Sequence, residues 1–137
     1  MDKMLGAVHR HLDDEGVFAF ETRNPTISVL AAEKDIEKDA GSWTDNEGYH
    51  CSSVYRRSYD HKSQLEHYIF TNRRWKDVSN VVETIEPFAL RYFFPQELES
   101  LLYYNGFVLK EMYGNFDKSP FQADSRLMVC VCRKRHK

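Results

Sequence analysis

Two apolar runs of strand length, Phe107–Tyr113 and Leu127–Cys132, are separated only by the polar stretch Gly114–Ser125, which has no helical periodicity. This pair constrains the chain more than any other feature. Parallel neighbours need a crossover of about a dozen residues or more, usually a helix, so two strands joined by a plain loop pair antiparallel. Upstream, Pro95 stands at a favoured first helical position, and Leu98, Leu101 and Leu102 form an apolar stripe. Asn105-Gly106 ends that helix, because glycine takes the left-handed conformation without a Cβ clash. The late third is therefore predicted as helix, strand, loop, strand.

The first half is read the same way. Met4, Leu5, Val8 and Leu12 follow helical spacing and predict a helix over 2–13, stopped at Asp13-Asp14-Glu15-Gly16. Acids at its C-terminal end oppose the helix dipole, so packing must hold it. Val17–Glu21 shows little alternation and is predicted as a strand covered on both faces. Thr22–Pro25 reads as a turn, and residues 26–48 as a loop with one helical turn and Trp43 as its anchor. From Tyr49 the period becomes two: a hairpin with its turn at Asp60–Ser63 and a returning strand over Gln64–Thr71. Val81–Ile85 adds a third extended run before Pro87.

Composition narrows the function classes. A chain of 137 residues, 42% hydrophobic and 29% charged, with net charge −2, has no bulk electrostatic case for nucleic acid or membrane binding. No apolar run approaches the ~20 residues of a membrane span, and the Asp-containing N-terminus does not read as a signal peptide, which predicts a cytoplasmic protein. Three cysteines without ligand spacing, Cys51, Cys130 and Cys132, read as buried thiols of a reducing compartment. His9 and His11 point in different directions on a helix, and His50, His61 and His67 lie in the hairpin, so no metal site is expected. Ser42, Ser79 and Ser125 lack the context of an activated nucleophile. Arg133–Lys137 reads as a solubilising basic tail.

The order of elements resembles the C-terminal half of a class I S-adenosylmethionine-dependent methyltransferase. Val8–Glu21 resembles the helix, turn and fifth strand of that family, with Asp13-Asp14-Glu15-Gly16 where the family often has Lys-Pro-Gly-Gly. Arg91–Phe107 resembles its late helix and the aromatic after the helix-ending glycine, although Phe94 stands where the family usually has Ser or Thr. Tyr113-Gly-Asn-Phe-Asp117 is similar to the turn after the sixth strand, and Ser125–Lys134 to the seventh strand. The resemblance implies an α+β chain: the C-terminal part of a Rossmann-like methyltransferase sheet from 1–25 and 88–137, with a small antiparallel β subdomain, 26–87, inserted on the substrate side. The family binds its cofactor in the other half, through a Gly-rich turn and a following acid. The six glycines here include no Gly-x-Gly pair, so S-adenosylmethionine is not expected to bind this chain alone.

The resemblance further implies a half-enzyme (a truncated product, a split partner or a degenerate remnant) that is inactive in isolation. Its β insertion would choose a small-molecule methyl acceptor. The candidate acceptor-contacting residues are Trp43, Tyr55, Tyr68, Arg91, Tyr92, Tyr113 and Asn115, with packing as the plainer reading for each aromatic. His67 is a possible general base, although alignment and desolvation alone can suffice for methyl transfer. Without the strand that covers the fifth strand in a complete sheet, Val17–Glu21 is expected to be an exposed edge presenting Val17, Phe18 and Phe20. A homodimer, or a complex with a separate N-terminal half, follows from that expectation. Two other classes compete. Arg56, Arg57, Arg73 and Arg74 among Tyr55, Tyr59, Tyr68 and Phe70 could form a stacking platform for single-stranded nucleic acid, against which the flanking acidity argues. A non-catalytic β module that self-associates or binds a hydrophobic ligand is the alternative.

Overall fold

The computed structural model describes residues 1–135, and the last two residues of the expected basic tail lie outside them. The chain divides into two units, described separately: Met1–Leu30 together with the stretch from Tyr92 onward, and Ala31–Arg91.

In the first unit, α1 (Asp2–His11) leads to β1 (Val17–Arg23) and the single turn α2 (Ile27–Leu30). After the second unit come α3 (Pro95–Tyr104), β6 (Phe107–Tyr113) and β7 (Leu127–Lys134), which form a three-stranded sheet in the order β1-β7-β6. Both pairings are antiparallel, and for β6 and β7 the plain loop between them requires it. Leu98 and Leu102 of α3 and Leu5 of α1 are fully buried with Phe107, Met128, Cys130 and Cys132, which form the core of this unit. Gly106 ends α3 at φ +85°, the left-handed conformation its sequence position called for. The helix starts without a side-chain cap from Phe94; instead the Glu97 carboxylate accepts the Phe94 backbone N–H at 3.3 Å.

β1 corrects the expectation of a strand covered on both faces. Its residues alternate, with Phe18 and Phe20 half-buried against the core and Val17, Ala19 and Glu21 exposed. Phe18 and Phe20 stack at 5.0 Å and Phe18 lies 5.6 Å from Phe107, so of the three side chains expected on an exposed edge only Val17 is exposed. The run looks uniform in sequence only because Ala19 interrupts the aromatics with a small apolar residue. The expected tail is also shorter: Arg133 and Lys134 complete β7, and Arg135 stacks on Tyr103.

The second unit is one antiparallel sheet, β2-β3-β4-β5: β2 (Lys38–Thr44), β3 (His50–Asp60), β4 (Leu65–Trp75) and β5 (Val82–Arg91). The long hairpin β3–β4 matches the period-two pattern, with Gln64 in the turn at φ 56° rather than in the strand. The expected loop over 26–48 contains the strand β2, hidden in the sequence by its polar residues and Gly41. Trp43 is 52% exposed and so does not anchor that segment as expected. β5 runs through Pro87, which a sheet tolerates because β5 is an edge strand.

Candidate functional site

Cross-strand pairing in the second unit sorts its side chains onto two faces. Direct pairs share a face, so Cys51, Ser53, Tyr55, Arg57 and Tyr59 of β3 lie with Arg74, Asn72, Phe70, Tyr68 and Glu66 of β4, and with Phe88 and Leu90 of β5. Tyr55, Phe70, Tyr68 and Phe88 form a continuous aromatic row, with neighbouring ring centroids 5.7 to 6.2 Å apart.

A polar triad ends this row. Glu66, 1% exposed, accepts from Arg57 Nη1 at 2.9 Å through one carboxylate oxygen and from the Tyr68 hydroxyl at 2.8 Å through the other. Burial opposes the charge on Arg57, but attraction to Glu66 and hydrogen bonding with Tyr68 and Glu66 outweigh it, so the guanidinium is held above its ordinary value. Its buried Nε has no partner among the described residues. This arrangement can hold the Tyr68 ring and hydroxyl in one orientation. The Arg57–Glu66 pair was not singled out in the sequence, although both residues flank the predicted hairpin turn on the same face.

The other candidates fall as follows. Trp43 pairs with Cys51 and shares the aromatic face, whereas Arg91 pairs with Leu65 and lies on the opposite face, with Nη2 3.4 Å from Gln64 Oε1. In the first unit Tyr92 is buried at 3% exposure. The Tyr113 hydroxyl donates to the Glu111 carboxylate, which raises the phenol above its usual value. Asn115 is exposed and its side-chain oxygen accepts the Phe116 backbone N–H at 2.8 Å. Thus Trp43, Tyr55 and Tyr68 share one face of one unit, and Tyr92, Tyr113 and Asn115 belong to the other.

Three arginines of the hairpin are ion-paired within their own unit: Arg56 with Glu37 at 3.2 Å, Arg73 with Glu83 at 2.9 Å, and Arg74 with Asp45 and Glu47 at 2.7 Å. Arg74 also covers the Tyr49 ring at 3.7 Å. A phosphate would have to compete with these carboxylates, which weakens the case for a nucleic-acid platform. Burial pushes the Cys130 thiol up to about 12 and Cys132 up to about 11, leaving both protonated and poor nucleophiles near neutral pH. No group of three or more potential metal ligands occurs among the described residues, and no helix there is long and apolar enough to cross a membrane.

A cofactor cradle of the Rossmann type needs a strand running through a glycine-rich turn into a helix. Among the described residues β1 leads into α2 and β5 into α3, and neither connection, 24–26 or 92–94, contains glycine. These residues do not fit an S-adenosylmethionine cradle of that type.

Comparison with solved structures places the architecture. The CcbJ methyltransferase from Streptomyces caelestis superposes with a TM-score of 0.77 at 21% identity, covering 97% of this chain and 52% of that one. The fold is methyltransferase-like. An S-adenosylmethionine-dependent methyltransferase from Clostridium acetobutylicum gives 0.73 at 13% identity, over 98% of this chain and 51% of that one. SAM-bound CalS10, an amino pentose methyltransferase from Micromonospora echinaspora, gives 0.68 at 14% identity, over 97% and 50%. The chain spans about half the length of these structures. No protein-family model and no curated protein matches it.

Proposed function

We propose that this chain is the substrate-side, C-terminal half of an S-adenosylmethionine-dependent methyltransferase, and that methyl transfer to a small-molecule acceptor needs a cofactor-binding half. One observation carries the reading: the β1-β7-β6 order with a separate antiparallel sheet between β1 and α3, matched almost end to end by methyltransferase folds about twice as long. The cofactor supplies an electrophilic methyl group. This chain's part is to bind and orient the acceptor and exclude water, which can contribute much of the acceleration of a bimolecular step.

We assign acceptor contact in the second unit to Trp43 and Tyr68, which share one face of its sheet, whereas the expected Arg91 lies on the other face. Tyr68 is the best supported, because Glu66 and Arg57 hold its hydroxyl and aromatic neighbours hold its ring. An amino sugar is the first acceptor to test, since one structural neighbour is an amino pentose methyltransferase. The test is calorimetry with S-adenosylmethionine on the chain alone, followed by a radiolabelled methyl-transfer assay with and without an added cofactor-binding half. The chain alone should bind weakly or not at all and transfer nothing, with transfer appearing when the other half is present. Micromolar affinity of the isolated chain for S-adenosylmethionine would contradict the reading.

A second reading, a non-catalytic β module, draws on one observation. Along the edge strand β5 and its neighbour β4, Val82 and Phe88 on the Tyr68 face, and Ile85 with Ile69 on the opposite face, are all about half exposed or more. Binding of an apolar dye to this unit, with no methyl transfer under any of the conditions above, would favour it.

A further inference from the structure

The two sheets expose four edges among the described residues, and three of them carry a feature that discourages strand addition. β6 has a bulge between Leu109 and Glu111, at the charged Lys110; β2 has one between Asp39 and Gly41; β5 contains Pro87. Bulges, proline and lysine are the usual means by which exposed edges are kept from pairing with other chains. β1 has none of them. It pairs with β7 over seven residues without a shift of register, and its sequence Val-Phe-Ala-Phe-Glu-Thr-Arg contains no proline, glycine or lysine.

The direction of its backbone groups follows from the ladder. The Asn24 N–H donates to the Arg126 carbonyl at 3.0 Å, one step beyond the Arg23–Leu127 pair. In an antiparallel ladder hydrogen-bonded and non-hydrogen-bonded pairs alternate. Phe18, Phe20 and Thr22 therefore exchange bonds with β7, while the N–H and C=O of Ala19 and Glu21 point to the open edge.

The geometry points to this edge as a pairing site for a second copy of the chain, β1 against β1 antiparallel about a two-fold axis at Phe20. That register sets Ala19 opposite the partner copy's Glu21, so the outward groups of each meet those of the other. It sets Val17 opposite Arg23 and brings no like charges directly opposite. The product is one six-stranded sheet, β6-β7-β1 continued by its symmetry mate, a closed isologous contact. The pairing rests on β1 being uncovered, so a cofactor-binding half that added a strand to β1 would compete with the second copy for the same edge.

The experiment is sedimentation of the full chain at ~50 μM, a concentration at which a micromolar dimer is well populated, beside Ala19→Pro and Glu21→Pro. Each proline removes an outward N–H twice per dimer and leaves the β7 ladder intact, as edge positions allow. Circular dichroism and amide exchange on β7 establish that each variant is folded. The wild-type chain should be a dimer, with Ala19 and Glu21 amides that lose protection on dilution. Each folded proline variant should dissociate with a constant at least about tenfold weaker. A wild-type monomer at that concentration, a dimer undiminished in a folded variant, or unprotected Ala19 and Glu21 amides in a wild-type dimer overturns the proposal. If both variants fail to fold, the exchange of those two amides decides it. A monomer would overturn this proposal and leave the methyltransferase reading standing, because that reading is tested by methyl transfer in the presence of a cofactor-binding half.

Discussion

The two units solve the problem of stability by different chemistry. In the first, the fully buried side chains are Leu5, Leu98, Leu102, Phe107, Met128, Cys130 and Cys132, with two helices and a sheet contributing to one apolar cluster. In the second, the buried residues are Cys51, Ser53, Tyr59 and Glu66. There a Ser53–Asn72 hydrogen bond of 2.7 Å lies within the hairpin and the Arg57–Glu66–Tyr68 triad lies near its turn. Apolar burial is non-directional and tolerates imperfect fit, whereas paired polar groups reward one register and penalise others. The first unit is thus held by the quantity of surface removed from water, and the second by which atom meets which.

The largest effect should come from the apolar side. Phe107 is fully buried and meets His9 edge-on at 5.5 Å as well as Phe18, so Phe107→Ala should cost about 4 kcal/mol in denaturant unfolding. Amide exchange then tests the contrast: protection should fall in β6 and β7 and persist in β3 and β4. Equal loss in both would mean that the units unfold as one. Glu66→Ala comes next, at about 3 kcal/mol, because it strands the mostly buried Arg57 without its counter-charge. Its damage should be confined to β3 and β4, and Glu66→Gln should recover part of it by keeping an acceptor for Tyr68.

A smaller change probes the junction of helix and strand in the first unit. A Cβ on Gly106 would lie 2.8 Å from His9 Nε2, and the residue sits at φ +85°. Gly106→Ala should cost about 1–2 kcal/mol, part backbone strain and part displacement of His9. Adding His9→Ala should relieve only the contact part, and a double-mutant cycle by thermal unfolding separates the two.

What was legible in the sequence follows the same division. Helix α3, its glycine stop and the β6–β7 pair could be read because helical spacing, Asn105-Gly106 and a crossover-free loop each have one physical meaning. The β3–β4 hairpin was legible from its period of two. β2 was not, because Lys38-Asp-Ala-Gly-Ser-Trp-Thr44 is exposed over nearly its whole length and carries no burial pattern. Nor was the alternation of β1, where Ala19 occupies an exposed position with a residue that reads as apolar. The site was less legible than the fold. Tyr68 stood out as an aromatic, but its orientation depends on Glu66 and Arg57, whose meeting requires knowledge of the register.

The least costly change should be at the exposed ion pairs, and it sharpens the contrast within the second unit itself. Arg73 and Glu83 face each other across β4 and β5 at 2.9 Å, but both side chains are more than two-fifths exposed. Solvent screens such a pair, and ordering two long side chains offsets much of the attraction, so Arg73→Ala should cost no more than about 0.5 kcal/mol. The cost should shrink further at high salt, where the Debye length is about 3 Å. Glu66→Ala should keep most of its larger effect under the same salt, because its partner lies where ions penetrate poorly. Denaturant titrations of both variants at low and high salt measure the difference directly. If Arg73→Ala proved as damaging as Glu66→Ala, the surface pairs rather than the buried triad would be holding this sheet together.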